Sequence, residues 1–135
     1  MKKFFSNNWI SILFLFLLSF LFLSLSTPMY VRKDNSTKSK VARSMLVYLI
    51  KECAVQRAEG INDPKFKMPE LSSYEFLPKN GNCFGDEQDF FIAKSNSLKK
   101  LATWKYNRIT GDKTCLFNGR NTELHGCSKD GEWIK

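Results

Sequence analysis

The chain opens on an almost unbroken apolar run and then changes its period twice. Trp9–Leu25 is interrupted only by Ser11, Ser19 and Ser24. Its 17 residues stand at the short end of the roughly 17–25 that span a bilayer core, and Thr27–Val31 can extend it. Beyond Arg32 and Lys33 the pattern becomes helical: Ala42, Met45, Leu46, Leu49, Ile50 and Cys53 recur at spacings of three and four. That spacing predicts an amphipathic helix over Lys38–Glu59, stopped by Gly60 in the C′ position. Asp34, Asn35 and Ser36 are helix-capping types, so a new helix starts there or an exposed turn of one long helix passes through. In the long helix, Pro28 would introduce a kink, because it lacks an amide hydrogen and crowds the preceding turn.

After Gly60 the helical period disappears. Pro64, Pro69, Pro78, Asn80, Gly81 and Asn82 punctuate residues 61–85, which read as a long loop with one short strand at Tyr74–Leu77. Asp89–Ala93 is a second strand, rich in aromatics. Ala102–Tyr106 and Lys113–Phe117 flank the turn residues Asn107–Asp112 and predict a hairpin, and Glu132–Ile134 adds a last short strand. The expectation is an α+β fold, with an apolar helix face laid on a small antiparallel sheet and no internal repeat. The organisation expected is 1–8 as a cytoplasmic N-terminus, 9–31 as a transmembrane helix, 32–60 as the amphipathic helix and 61–135 as loop and sheet. The last two form one domain.

Length favours a retained membrane helix at 9–31 over a cleaved signal. The alternative has Ser24-Leu25-Ser26 as its cleavage site and leaves a secreted, disulfide-rich protein. Lys2 and Lys3 precede the helix and favour a cytoplasmic N-terminus, with Arg32 and Lys33 opposing weakly. The rest of the chain is then extracytoplasmic, single-pass on the inner membrane. The 109 residues of Thr27–Lys135 suffice for one small domain.

Charge and cysteine content narrow the chemistry. The formal charge is +8, and much of it lies in Arg32, Lys33, Lys38, Lys40, Arg43, Lys51 and Arg57. This basic stripe reads first as a solvated helix face, and otherwise as a weak contact for anionic lipid or nucleic acid. Four cysteines in an exported domain predict two disulfides. Cys115 and Cys127 flank a short turn-rich stretch, so Cys115–Cys127 with Cys53–Cys83 is favoured among the three pairings. A lone histidine, His125, and no C-x-x-C pair leave no metal site, cofactor site or catalytic constellation in view. His125 is expected in an exposed turn. The acidic stretch Gly85-Asp86-Glu87-Gln88-Asp89 lacks a calcium-loop pattern and reads as solvated. Trp104, Tyr106, Trp133, Phe90 and Phe91 are expected in the sheet core.

The order of these elements resembles the type IV pilins and pseudopilins, most nearly those of cyanobacterial type. The resemblance rests on Pro28-Met29-Tyr30, then Lys51-Glu52-Cys53-Ala54 starting 23 positions after Pro28. It rests also on Thr103-Trp104-Lys105-Tyr106, Thr110-Gly111-Asp112-Lys113-Thr114-Cys115, Gly126-Cys127 and Gly131-Glu132-Trp133. It implies a membrane-anchored structural subunit of a pilus or pseudopilus whose partners are other pilin-like chains.

One motif departs from the family. Its processing sequence, Gly-Phe-Thr-Leu-Ile-Glu, falls on Ser6-Asn7-Asn8-Trp9-Ile10-Ser11. Ser6 stands at the glycine before the cut, Asn7 would be the new amino terminus, and Ser11 replaces the glutamate that pairs with a neighbour during assembly. A carboxylate buried in lipid is costly unless paired, so Ser11 removes both that cost and the handle. The resemblance therefore implies a minor pilin with a degenerate processing site, or a relative that does not polymerise. DNA binding in uptake is the rival function.

Overall fold

The computed structural model describes residues 2–84 and 89–134, leaving aside the side chains of residues 2–8, 10, 24–29, 31 and 32. The chain divides into two compact units, residues 1–34 and 35–135. A single helix, α1 (Lys2–Ala58), runs through Pro28 and through Asp34–Ser36 without an end at either place. The capping types at 34–36 therefore start no new helix. The serine at 36 faces inward instead, at 5% exposure. The helix stops where expected: Gly60 has φ +78°, its amide donates to the Arg57 carbonyl, and the Ile61 amide reaches the Gln56 carbonyl at 3.1 Å.

In the first unit the described apolar side chains are uncovered. Phe16 is 73% exposed, Phe20 76% and Leu15 67%. Among the described residues no helix is long and apolar enough to cross a membrane. The uninterrupted run of described side chains there is 11–23.

The second unit is an α+β domain. Four strands, β1 (Tyr74–Leu77), β2 (Phe90–Ser95), β3 (Thr103–Asn107) and β4 (Lys113–Leu116), form an antiparallel meander in sequence order. Alternation decides which face each side chain takes. Phe76, Phe91, Ala93, Trp104 and Cys115 point into the core, where they join Ala42, Leu46, Leu49 and Cys53 of α1. Burying each leucine in such a core stabilises by about 1.5–3 kcal/mol. The β3–β4 register pairs Thr103 with Leu116 and Tyr106 with Lys113, close to the expected hairpin.

Between α1 and β1 the chain is tied down more closely than a plain loop. Gln56 brackets Lys65, its amide donating to the Lys65 carbonyl and its carbonyl accepting the Lys65 amide. Phe66 packs into the core, and its amide donates to the Gly81 carbonyl at 2.9 Å. A Cβ on Gly81 would lie 2.8 Å from the Phe66 carbonyl oxygen, so this crossing admits only glycine. The last residues give bridges rather than the expected strand, with Glu132 opposite Thr114 and Trp133 opposite Cys127. They lie along β4, whose Cys115 amide donates to the Gly131 carbonyl, and the Trp133 indole caps the Thr114 carbonyl at 2.7 Å. A sheet edge that would otherwise template pairing is thereby partly occupied.

Candidate functional site

The best-connected polar group of the domain is Ser39, which the hydrophobic pattern passes over because serine reads as polar. Its side chain is wholly buried on the inward stripe of α1, three residues before Ala42. The Ala102 amide donates to its Oγ at 3.1 Å, and the Trp104 indole donates to its carbonyl at 2.8 Å. The Tyr74 hydroxyl donates to the Ala102 carbonyl at 2.7 Å and lies 3.2 Å from Ser39 Oγ. His125 Nδ1 completes the cluster at 3.0 Å. Tyr74 of β1, Ala102 of the β2–β3 connection and His125 of the Cys115–Cys127 loop thus meet at the Ser39 hydroxyl, while Trp104 of β3 holds its carbonyl. Burial raises the Tyr74 hydroxyl pKa, and its hydrogen bonds with Ser39 and Trp104 oppose that.

His125 corrects an expectation. It is 6% exposed rather than on an open turn, because a 3-10 turn at Thr122–His125 rolls the ring inward onto Phe117, with centroids 4.2 Å apart. Burial lowers its pKa, and the nearby Lys40 charge adds to that. A serine and a histidine at 3.0 Å suggest nucleophilic chemistry at first sight. Here the serine faces no solvent and its oxygen already receives a backbone amide, so the pair fastens helix to sheet.

The cysteines pair as Cys53–Cys83 and Cys115–Cys127, with Cα atoms 5.4 and 5.9 Å apart. The first fixes the end of α1 to the chain entering β2. The second closes the loop that carries His125 to Ser39.

The basic residues do not make one solvated stripe. Lys33, Lys40, Lys51 and Arg57 are exposed, and Lys38 is half-buried. Arg43 turns into the fold instead: its guanidinium donates to the Ile134 carbonyl at 2.6 Å and lies 5.4 Å from the Trp104 ring centroid. Arg57 lies over Phe84 at 4.9 Å. Arg32 falls outside the described side chains, as do Ser6, Asn7 and Pro28; Ser11 is exposed on α1. Of the acidic stretch, residues 85–88 lie outside the described residues, while Asp89 is exposed and its carbonyl accepts the Arg108 amide. Among the described residues no cluster of His, Cys, Asp or Glu could hold a metal ion.

The aromatics divide. Trp104 and Phe91 are core, Tyr106 and Trp133 pack at its margin, and Phe90 sits on the outer side of the sheet under Lys105. A concavity of about 1020 Å³ lies between α1 and the segment 67–70. Val41, Met45, Tyr48, Met68 and Pro69 line it, and Tyr48 is 65% exposed. Val41, Tyr48 and Val55 recur every seven residues on this outer side of the helix, a signal present in the sequence beside the stronger core stripe. Opposite charges edge the groove, with Lys40 and Glu52 on α1 and Lys67 and Glu70 across from it.

No protein-family profile, characterised protein or solved structure matches this chain.

Proposed function

We propose that this chain is a membrane-anchored protein with an extracytoplasmic α+β domain that works by packing against other proteins, as a minor pilin-like subunit or a non-polymerising relative. The observation that carries the reading is the exposed apolar surface of residues 11–23, on the same helix that forms the spine of the folded domain. Water does not tolerate a helix apolar on every side, whereas hydrocarbon does. The Met- and Tyr-lined groove beside α1 supports action by contact, since flexible thioethers and exposed aromatics suit protein surfaces. The polar cluster at Ser39 supports it as well, because its hydrogen bonds are spent on holding the fold.

Nucleic-acid binding through the basic residues is the rival. Exposed Lys40 and Lys51 favour it, while Arg43 is committed to the Ile134 carbonyl and Trp104. Cross-linking in cells separates the two. The proposed reading expects recovery of other membrane-anchored, pilin-like chains. It also expects duplex DNA binding to be weak and erased by salt, since each phosphate contact contributes a log–log slope of about −0.9. Tight duplex binding at physiological salt with no such partner recovered would replace this reading with DNA uptake.

A further inference from the structure

The face of the sheet turned away from α1 has a mixed pattern. Register places Leu77 of β1 opposite Ile92 of β2, Ile92 opposite Lys105 of β3, and Lys105 opposite Thr114 of β4. These four form one row across the whole sheet. Two residues along, Lys94 lies opposite Glu75, and Thr103 lies opposite Leu116. The rows are about 7 Å apart and the strands within each about 4.8 Å. Leu77, Ile92, Lys94, Lys105 and Leu116, with Leu98 from the β2–β3 connection, line a groove of about 560 Å³. Leu116 remains 53% exposed, and Leu77 and Ile92 are half-buried.

Among the described residues, the charged side chains lining this groove are Lys94 and Lys105. Lys105 places its ammonium 3.5 Å from the centroid of the Phe90 ring, a contact that leaves the positive charge un-neutralised. Lys94 feels Glu75 across the strands, but that carboxylate is ion-paired with Lys79 and does not line the groove. A complementary partner is therefore anionic. The positions of the lysines narrow it further. Lys105 follows Ile92 within one row, and Lys94 and Leu116 share the other, so charge is interleaved with aliphatic surface instead of sitting at one end. A fatty acid has a single head and would satisfy one lysine while laying its tail over the other. An extended peptide that alternates carboxylates with aliphatic side chains meets both lysines and fills the spaces between them.

We infer that the outer face of the sheet, at Leu77, Ile92, Leu116, Lys94 and Lys105, is a docking surface for an acidic, aliphatic-alternating segment of another protein. The inference stands on the sheet alone and does not depend on the membrane-anchored or pilin-like reading.

The test uses the full chain in phosphatidylcholine nanodiscs and a fluorescent synthetic peptide alternating leucine with aspartate and glutamate. The acidic peptide should bind by anisotropy, and zero-length carbodiimide coupling should join it to Lys94 and Lys105. The charge-reversed variant Lys94→Glu/Lys105→Glu should bind it about tenfold more weakly or worse, while a peptide alternating leucine with lysine should fail on the wild type. Lys94 is exposed and Lys105 half-buried, and an unchanged circular dichroism spectrum would show that the variant keeps its fold. Equal binding by wild type and variant, or coupling only at other lysines, would overturn the proposal. So would octanoate protecting Lys94 and Lys105 from carbamylation by cyanate without any peptide binding, which would assign the face to a single-headed amphiphile.

Discussion

Two stretches of α1 carry the same kinds of residue and meet opposite surroundings. In 11–23 the described leucines and phenylalanines stand 40–76% exposed, whereas Ala42, Leu46, Leu49 and Cys53 are 0–2% exposed. The later stretch spaces its apolar residues to one side, and the sheet covers that side. The earlier stretch is apolar all round, and its described side chains stand uncovered. Helix-forming sequence is thus common to both, and what differs is the medium each was shaped for. On the reading proposed above that medium is protein for the second stretch and lipid for the first.

Substitutions sharpen this contrast. Trp104→Ala removes the largest wholly buried side chain and leaves the Ser39 carbonyl without its indole donor. It should destabilise the domain by about 3–5 kcal/mol in denaturant unfolding followed by far-UV circular dichroism. Phe16→Ala with Phe20→Ala removes comparable apolar bulk from the exposed stretch and should move the same transition by no more than about 0.5 kcal/mol. Cys115→Ala/Cys127→Ala opens a loop with a sequence separation of 12 and should cost about 3 kcal/mol, read as a lower midpoint at unchanged slope. Ser39→Ala strands the Ala102 amide in the core and should cost about 1–3 kcal/mol.

The smallest effect is that of pH. His125 is held neutral by burial and by Lys40, so its folded pKa lies below the ordinary value. Ser39 also faces the ring as a neutral hydrogen-bonding group, and Phe117 stacks on it. The unfolded chain therefore binds the proton more readily. The contribution is fully present above about pH 6.5 and is lost as pH falls through 6.5 toward the lower folded value. Replacing His125 with glutamine should flatten that part of a stability–pH curve.

Much of the domain was legible because periodicity follows from geometry. The stripe Ala42–Cys53, the stop at Gly60, strand β1 and the β3–β4 hairpin all follow from spacings and turn residues. The disulfide pairing followed from loop length. The buried hub was not legible, because Ser39 and His125 look polar in sequence and only the fold brings residues 86 positions apart within 3.0 Å. Asp34–Ser36 left a new helix and a continuous one equally open for a related reason: capping residues within a long helix are silent when the backbone hydrogen bonds continue past them. The outer sheet face was hidden because Lys94 and Lys105 acquire a common groove only through strand register.

The central claim is that one helix serves lipid at 11–23 and the folded domain from Ser36 onward. Its most direct test is the intact mass of the protein recovered from carbonate-washed membranes of the host. The account predicts that the chain remains in the washed pellet with residues 11–23 still attached. A soluble form beginning near Thr27 would contradict it.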